Sequence, residues 1–144
     1  MTTDLATFAD EISQAWNSHD MENVIRFYSP EYIGDDVGQA SHLLGHAGLR
    51  AMLDTYWNAF PDLRFACTDC VMQGSRVAAV WVAEGTHQGT IMNIPPTGHR
   101  VEVRGMSVLD VRDGLILHDH HAFFKDLVFL IHSKEGSVYI NSSQ

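Results

Sequence analysis

Apolar positions recur every three or four residues in the first part of the chain and at alternate positions in the rest. Leu5, Phe8, Ala9, Ile12, Ala15 and Trp16 form one stripe, which predicts a helix with a single apolar face ending near Asn17. Asp20 can cap a short second helix from Asn23 to Tyr28, and Pro30 stops it. The acidic, glycine-bearing stretch Gly34 to Gly38 is expected as a loop, with Asp35, Asp36 and His42 either solvated or forming a lid. A third helix is expected from about His46 to Asn58. It carries Leu49, Met52, Leu53, Tyr56 and Trp57 on one side, and Phe60-Pro61-Asp62 ends it.

From Leu63 onward the period changes to two, the spacing of a strand. Strands are expected from Arg64 to Met72, Val77 to His87, Arg100 to Val111 and Leu115 to Phe124. They are separated at Gly74-Ser75, at Asn93 to Gly98 and at Asp113-Gly114. The last pair is a tight-hairpin signal, because both residues accept positive φ. Helices followed by hairpin strands imply an α+β domain with helices on one face of an antiparallel sheet. A strongly curved sheet wrapped on three helices leaves a cone, and the mouth of such a cone is a natural ligand site.

A chain of 144 residues is expected to form a single domain, 1-144. Its formal net charge is -9, and its 9 Lys and Arg are scattered, which argues against a nucleic-acid groove or an anionic membrane surface. A small hydrophobic ligand fits better. No apolar run approaches the ~20 residues that span a bilayer, and MTTDLATFADE has neither a basic n-region nor an apolar h-region. The cytoplasm is the expected compartment. Cys67 and Cys70 form a C-x-x-C, but a redox pair needs a helix N-terminus to lower the thiol pKa. Here the segment reads as a strand, where residues three apart face opposite ways, and no second Cys pair exists for a structural zinc. Two reduced structural thiols are expected.

The densest chemistry lies on the last expected strand, at His118, Asp119, His120 and His121. Side chains alternate along a strand, so Asp119, His121 and Phe123 share one face and His118, His120 and Ala122 the other. If the first face looks into the cavity, it supplies a carboxylate and an imidazole at neighbouring heights on one wall. Trp81, Ala83, Gly85 and His87 share a face of an earlier strand. Trp81 can then floor a flat ligand while His87 donates to a carbonyl, with Trp57, Ser107 and Phe123 as further substrate contacts. Two rivals to acid/base catalysis stand beside it. One is a pocket that only binds, and the other is a three-ligand site of Asp119, His121 and His87 for zinc or iron.

The order Ala15-Trp16-Asn17, Phe60-Pro61-Asp62-Leu63, Gly85-Thr86-His87-Gln88-Gly89, Ile94-Pro95-Pro96-Thr97-Gly98, Val103 to Asp110 and Arg112-Asp113-Gly114 resembles the SnoaL-like polyketide cyclases of the NTF2-like fold. The resemblance spans about residues 5-130 and leaves 131-144 as a tail. It implies a cone of three N-terminal helices on a strongly curved antiparallel sheet, a deep hydrophobic pocket, and a homodimer or larger homo-oligomer built across the sheet. It also implies acid/base chemistry with no metal and no organic cofactor. Members close a ring by intramolecular aldol addition, and relatives isomerise, so a hydrophobic polyketide-like or terpenoid-like substrate is expected.

The site departs from the family pattern. The cyclases carry a His and, two residues later, the catalytic Asp, whereas this chain has Asp119 and then His121. The pair is kept but swapped. Gly105 and Ser107 stand where cyclases offer polar Gln and His. His121 is expected to act as general base and acid, since an imidazole titrates near ~6.5, with Asp119 fixing its tautomer or exchanging roles with it. Of the strand from Val101 to Asp110, Val101, Val103, Gly105, Ser107 and Leu109 form one face. Glu102, Arg104, Met106, Val108 and Asp110 form the other, and its apolar members are expected to pack sheet against sheet in a homodimer.

Overall fold

The N-terminal apolar stripe forms helix α1 (Leu5–Asn17), and the computed structural model of the chain describes residues 5–36 and 42–123. Asp20 caps a one-turn helix α2 (Met21–Ile25), its carboxylate accepting the Glu22 and Asn23 N–H groups. Strand β1 (Tyr28–Asp36) and the short β2 (His42–Leu44) precede helix α3 (Gly45–Ala59), which buries Leu49 and Leu53 completely. Then come β3 (Arg64–Gln73), β4 (Arg76–Thr86), β5 (Arg100–Arg112) and β6 (Leu115–Phe123). The turn between β5 and β6 has Asp113 at φ 54 and Gly114 at φ 78, as the Asp-Gly signal requires.

The six strands form one curved sheet in the order β2-β1-β6-β5-β4-β3. β3 to β6 are a simple antiparallel meander, but β1 runs parallel to β6. Two expectations are corrected here. Tyr28, expected as a helix end, and Gly34 to Asp36, expected as loop, belong to one strand, and the sheet is mixed rather than wholly antiparallel. Pro30, which has no N–H to give a ladder, lies in the irregular part of β1 where the register with β6 shifts. That irregularity hides the two-residue period from the sequence. Val37, Gly38, Phe124 and the tail 131-144 lie outside the described residues.

Side chains named by their motif order turn out to tie elements together. The Asn17 amide pairs with the backbone of Phe65 in both directions, donating at 2.9 Å and accepting at 2.7 Å, so it docks the end of α1 on β3. The Asp62 carboxylate accepts the Thr86 N–H at 2.7 Å and its hydroxyl at 2.9 Å, which fixes the end of α3 to the end of β4. Two apolar clusters meet on the helix side of the sheet. One gathers Phe8, Val24, Tyr28, Tyr32, Leu53, Val77 and Ile116, and the other Phe60, Leu63, Ala83, Val101 and Val103.

The C-x-x-C also needs correction. Cys67 pairs with Trp81 and Cys70 with Ala79, and the register slips by one residue at Thr68. This bulge turns both thiols to the same face, where simple alternation would have separated them. Burial, then the neighbouring Cys70, push the Cys67 thiol up, which opposes the thiolate a redox pair needs.

Ile116 is fully buried on the helix side of β6. Ile116→Ala should cost about 2–5 kcal/mol of folding stability, read as a lower denaturant midpoint at unchanged m-value.

Candidate active site

A cavity of about 170 Å³ opens between α1, α3 and the concave face of the sheet. Its wall is built from alternate positions. β4 gives Val77, Ala79, Trp81 and Ala83, and β5 gives Val101, Val103, Ser107 and Leu109. α1 contributes Phe8, Ile12 and Trp16 from its apolar stripe, and α3 contributes Met52 and Tyr56. Phe65 stands edge-on between Trp16 and Trp81, with ring centroids 5.1 and 5.6 Å away. The wall is therefore aromatic and aliphatic over most of its extent.

Asp119 and His121 break that apolar wall. Both line the cavity, opposite Leu109 and Ser107 of β5, and their side chains are only 13% and 12% exposed. Asp119 Oδ2 lies 3.6 Å from His121 Nδ1 and accepts a long hydrogen bond of 3.5 Å from the Tyr32 hydroxyl. Asp119 Oδ1 is buried and has no hydrogen-bond partner among the described residues, an arrangement that costs free energy unless a ligand completes it.

Tyr28 and Tyr32 flank this carboxylate and pack edge to face at 4.9 Å. Burial, then the Asp119 charge, hold both phenols far above the ordinary tyrosine range. They stay protonated donors. Tyr28 lines the cavity and accepts the Trp16 indole N–H at 3.3 Å. Neither tyrosine stands out from the sequence as a neighbour of the acid/base pair, because β1 is not legible there. Gly34 sits beside Asp119 in the ladder, and a Cβ there would come within 2.5 Å of the Tyr32 hydroxyl oxygen. Glycine at this position lets the Tyr32 ring lie along its own strand to reach Asp119.

Of the expected substrate contacts, Trp81 and Ser107 line the cavity and touch each other, the Trp81 indole N–H donating to Ser107 Oγ at 3.0 Å. Gly105 explains the pairing, since a Cβ there would collide with the Trp81 ring. The departure at 105 and 107 is thus one unit with Trp81, glycine making room for the indole and serine accepting its N–H. His87 is placed elsewhere. β4 ends at Thr86, and His87 is fully buried behind Phe60, its Nδ1 accepting the Thr97 N–H at 3.2 Å. It does not line the cavity, so the expected carbonyl donor and the ligand trio of Asp119, His121 and His87 are not assembled. Trp57 is also absent from the lining. It stacks on His19 and packs between the two apolar clusters. The Phe123 side chain lies outside the described residues.

A curved sheet closed by helices around a largely apolar cavity, with a carboxylate and an imidazole side by side on one strand of its wall, is the NTF2-like fold. Residues 6–126 match the family model of SnoaL-like polyketide cyclases, and the chain belongs to that family. IdmH of Streptomyces antibioticus, a proposed polyketide cyclase, is 29% identical over 87% of this chain and 94% of its own, with a TM-score of 0.68. AclR of Streptomyces galilaeus, a proposed hydroxylase, is 24% identical over 86% of this chain and 81% of its own, at 0.75. A SnoaL-like polyketide cyclase of Agrobacterium tumefaciens is 22% identical over 88% and 94%, at 0.71. No curated protein matches significantly. Among the described residues no helix is long and apolar enough to cross a membrane.

Two predictions arise from this geometry. Gly105→Ala should displace the Trp81 ring, lower stability by about 1–3 kcal/mol and shift the tryptophan emission, whereas an unmoved emission spectrum would contradict the packing. The tyrosines give a pH dependence. An unfolded chain releases phenolic protons near ~10, but Tyr28 and Tyr32 retain theirs in the fold. Stability is therefore full below ~10 and falls as pH rises above it. Alkaline titration followed by tyrosinate absorbance and circular dichroism should show these two ionising only as the fold is lost.

Proposed function

We propose that the chain is a cofactor-free acid/base enzyme, a cyclase or isomerase of a hydrophobic, carbonyl-bearing small molecule of polyketide-like or terpenoid-like type. The observation that carries this is the unpartnered Asp119 Oδ1 on an apolar cavity wall, with Oδ2 of the same carboxylate beside Tyr32 and His121. A carboxylate so placed has one oxygen held by neighbours and the other buried without a partner among the described residues, in the wall of the cavity. The aromatic wall of Trp16, Phe65 and Trp81 suits a flat, fused-ring body.

In the proposed cycle, one member of the Asp119–His121 pair takes a proton from a carbon next to a carbonyl, leaving an enolate. For ring closure, the enolate carbon attacks a second carbonyl in the same molecule, and the protonated base returns its proton to the new alkoxide. For isomerisation, the proton returns to a different carbon. Both paths balance without an oxidant or a second substrate. Positioned acid/base groups of this kind contribute typically ~100- to 10,000-fold each. A protonated phenol near the developing charge adds a donor, and Tyr28 is the cavity-lining candidate.

The test need not await the natural substrate. Fused-ring ketones that bind the cavity should exchange their α-protons with deuterated solvent faster in the presence of the protein, as read by NMR. Asp119→Asn and His121→Ala should each slow that exchange by at least ~100-fold while leaving the melting temperature nearly unchanged. Binding of such ketones with no accelerated exchange would make the domain a binder and overturn the proposal.

A further inference from the structure

The other face of β6 holds a second constellation. His118 and His120 point away from the cavity, and their strand lies beside β1, where Asp35 is the ladder neighbour of His120. On the far side of β1, Asp35 is the ladder neighbour of His42 on β2. Three adjacent strands thus deliver their side chains to one spot. His118 Nε2 lies 2.8 Å and His120 Nδ1 3.3 Å from Asp35 Oδ2, while His42 Nδ1 contacts Asp35 Oδ1. The rings of His118 and His120 are tilted together with centroids 4.0 Å apart. One ligand atom from each of Asp35, His118 and His120 lies within 4.8 Å of the others, and all three residues are half-buried.

We propose that Asp35, His118 and His120 bind one divalent transition ion of the zinc type on the outer face of the sheet, with solvent as the fourth ligand. Two imidazole nitrogens and one carboxylate oxygen are donors that borderline ions such as zinc accept far more readily than magnesium or calcium do. A tetrahedral ion with bonds of about 2.1 Å needs ligand atoms about 3.4 Å apart, close to the spacing already present. Backbone register supplies this convergence, so little ordering is left for the ion to impose. The site is separate from the catalytic pair, since Asp119 and His121 occupy the opposite face of β6. Bound there, an ion would pin β1 to β6 and with it the register that holds Tyr32 beside Asp119.

The full chain, with any purification tag removed, should take up one equivalent of Zn2+ in calorimetric titration. Co2+ should give the intense visible bands of a four-coordinate site. At about a hundredfold excess of Zn2+ over its Kd, the melting temperature should rise by about 5–10 °C. Asp35→Asn, His118→Gln and His120→Gln should each weaken binding by at least about tenfold, whereas Asp119→Asn should leave it within about twofold. His120 is the more exposed of the two β6 imidazoles, so His120→Gln keeps the test available if Asp35→Asn fails to fold. Absence of stoichiometric uptake would overturn the proposal. So would uptake that survives these substitutions, or that Asp119→Asn abolishes as fully as Asp35→Asn does.

Discussion

Strand β6 pairs with β5 through Ile116 opposite Val111 and His118 opposite Asp110, which leaves Leu117 without a partner and inserts one residue at that point. A bulge of this kind exchanges the faces of everything beyond it. With it, Ile116 stays in the core and Asp119, three residues on, still faces the cavity. Without it, alternation from Ile116 would aim His118 and His120 inward and strand Asp119 and His121 outside. The sheet also parts the two pairs completely, because a strand offers only two directions. One short sequence therefore serves a dry cavity on one side and an imidazole cluster on the other.

The apolar cavity depends on two glycines that make room for rings rather than for turns. Gly34 leaves space for Tyr32 and Gly105 for Trp81. Each ring then spends its polar atom on the site, the Tyr32 hydroxyl on Asp119 and the Trp81 indole on Ser107. Neither ring could lie where it does if the glycine carried a Cβ. Because the surrounding wall is apolar, a carboxylate there is dear to desolvate. The Tyr32 phenol offsets part of that cost while remaining neutral itself.

The strands from Arg64 onward were legible because their period of two is unbroken for long stretches, and α1 and α3 because their apolar spacing is regular. The same alternation put Asp119 and His121 on one face correctly. It failed where backbone irregularity intervenes. Pro30 and the register shift of β1 hid a strand, and with it the roles of Asp35 and Tyr32. The bulge at Thr68 reversed the facing of Cys70, and the end of β4 at Thr86 removed His87 from the face that alternation had given it. Spacing reports direction only while the ladder is regular. The cross-strand neighbours of Asp119 and His120 on β1 come from a parallel pairing across nearly the whole chain, which no local pattern carries.

The swap of the acid/base pair acquires a physical sense from these neighbours. In the family pattern the carboxylate follows the imidazole by two residues, and here it precedes it, so the carboxylate has moved about 7 Å along the strand. That shift places it opposite buried Leu109 and beside Tyr28 and Tyr32. The imidazole stands opposite Ser107, which accepts from Trp81. A carboxylate in that apolar setting has little water to solvate it and depends on a fixed donor, which Tyr32 supplies from β1. On the proposed reaction, the swapped pair keeps one carboxylate and one imidazole side by side on the wall while exchanging the neighbours that each one meets.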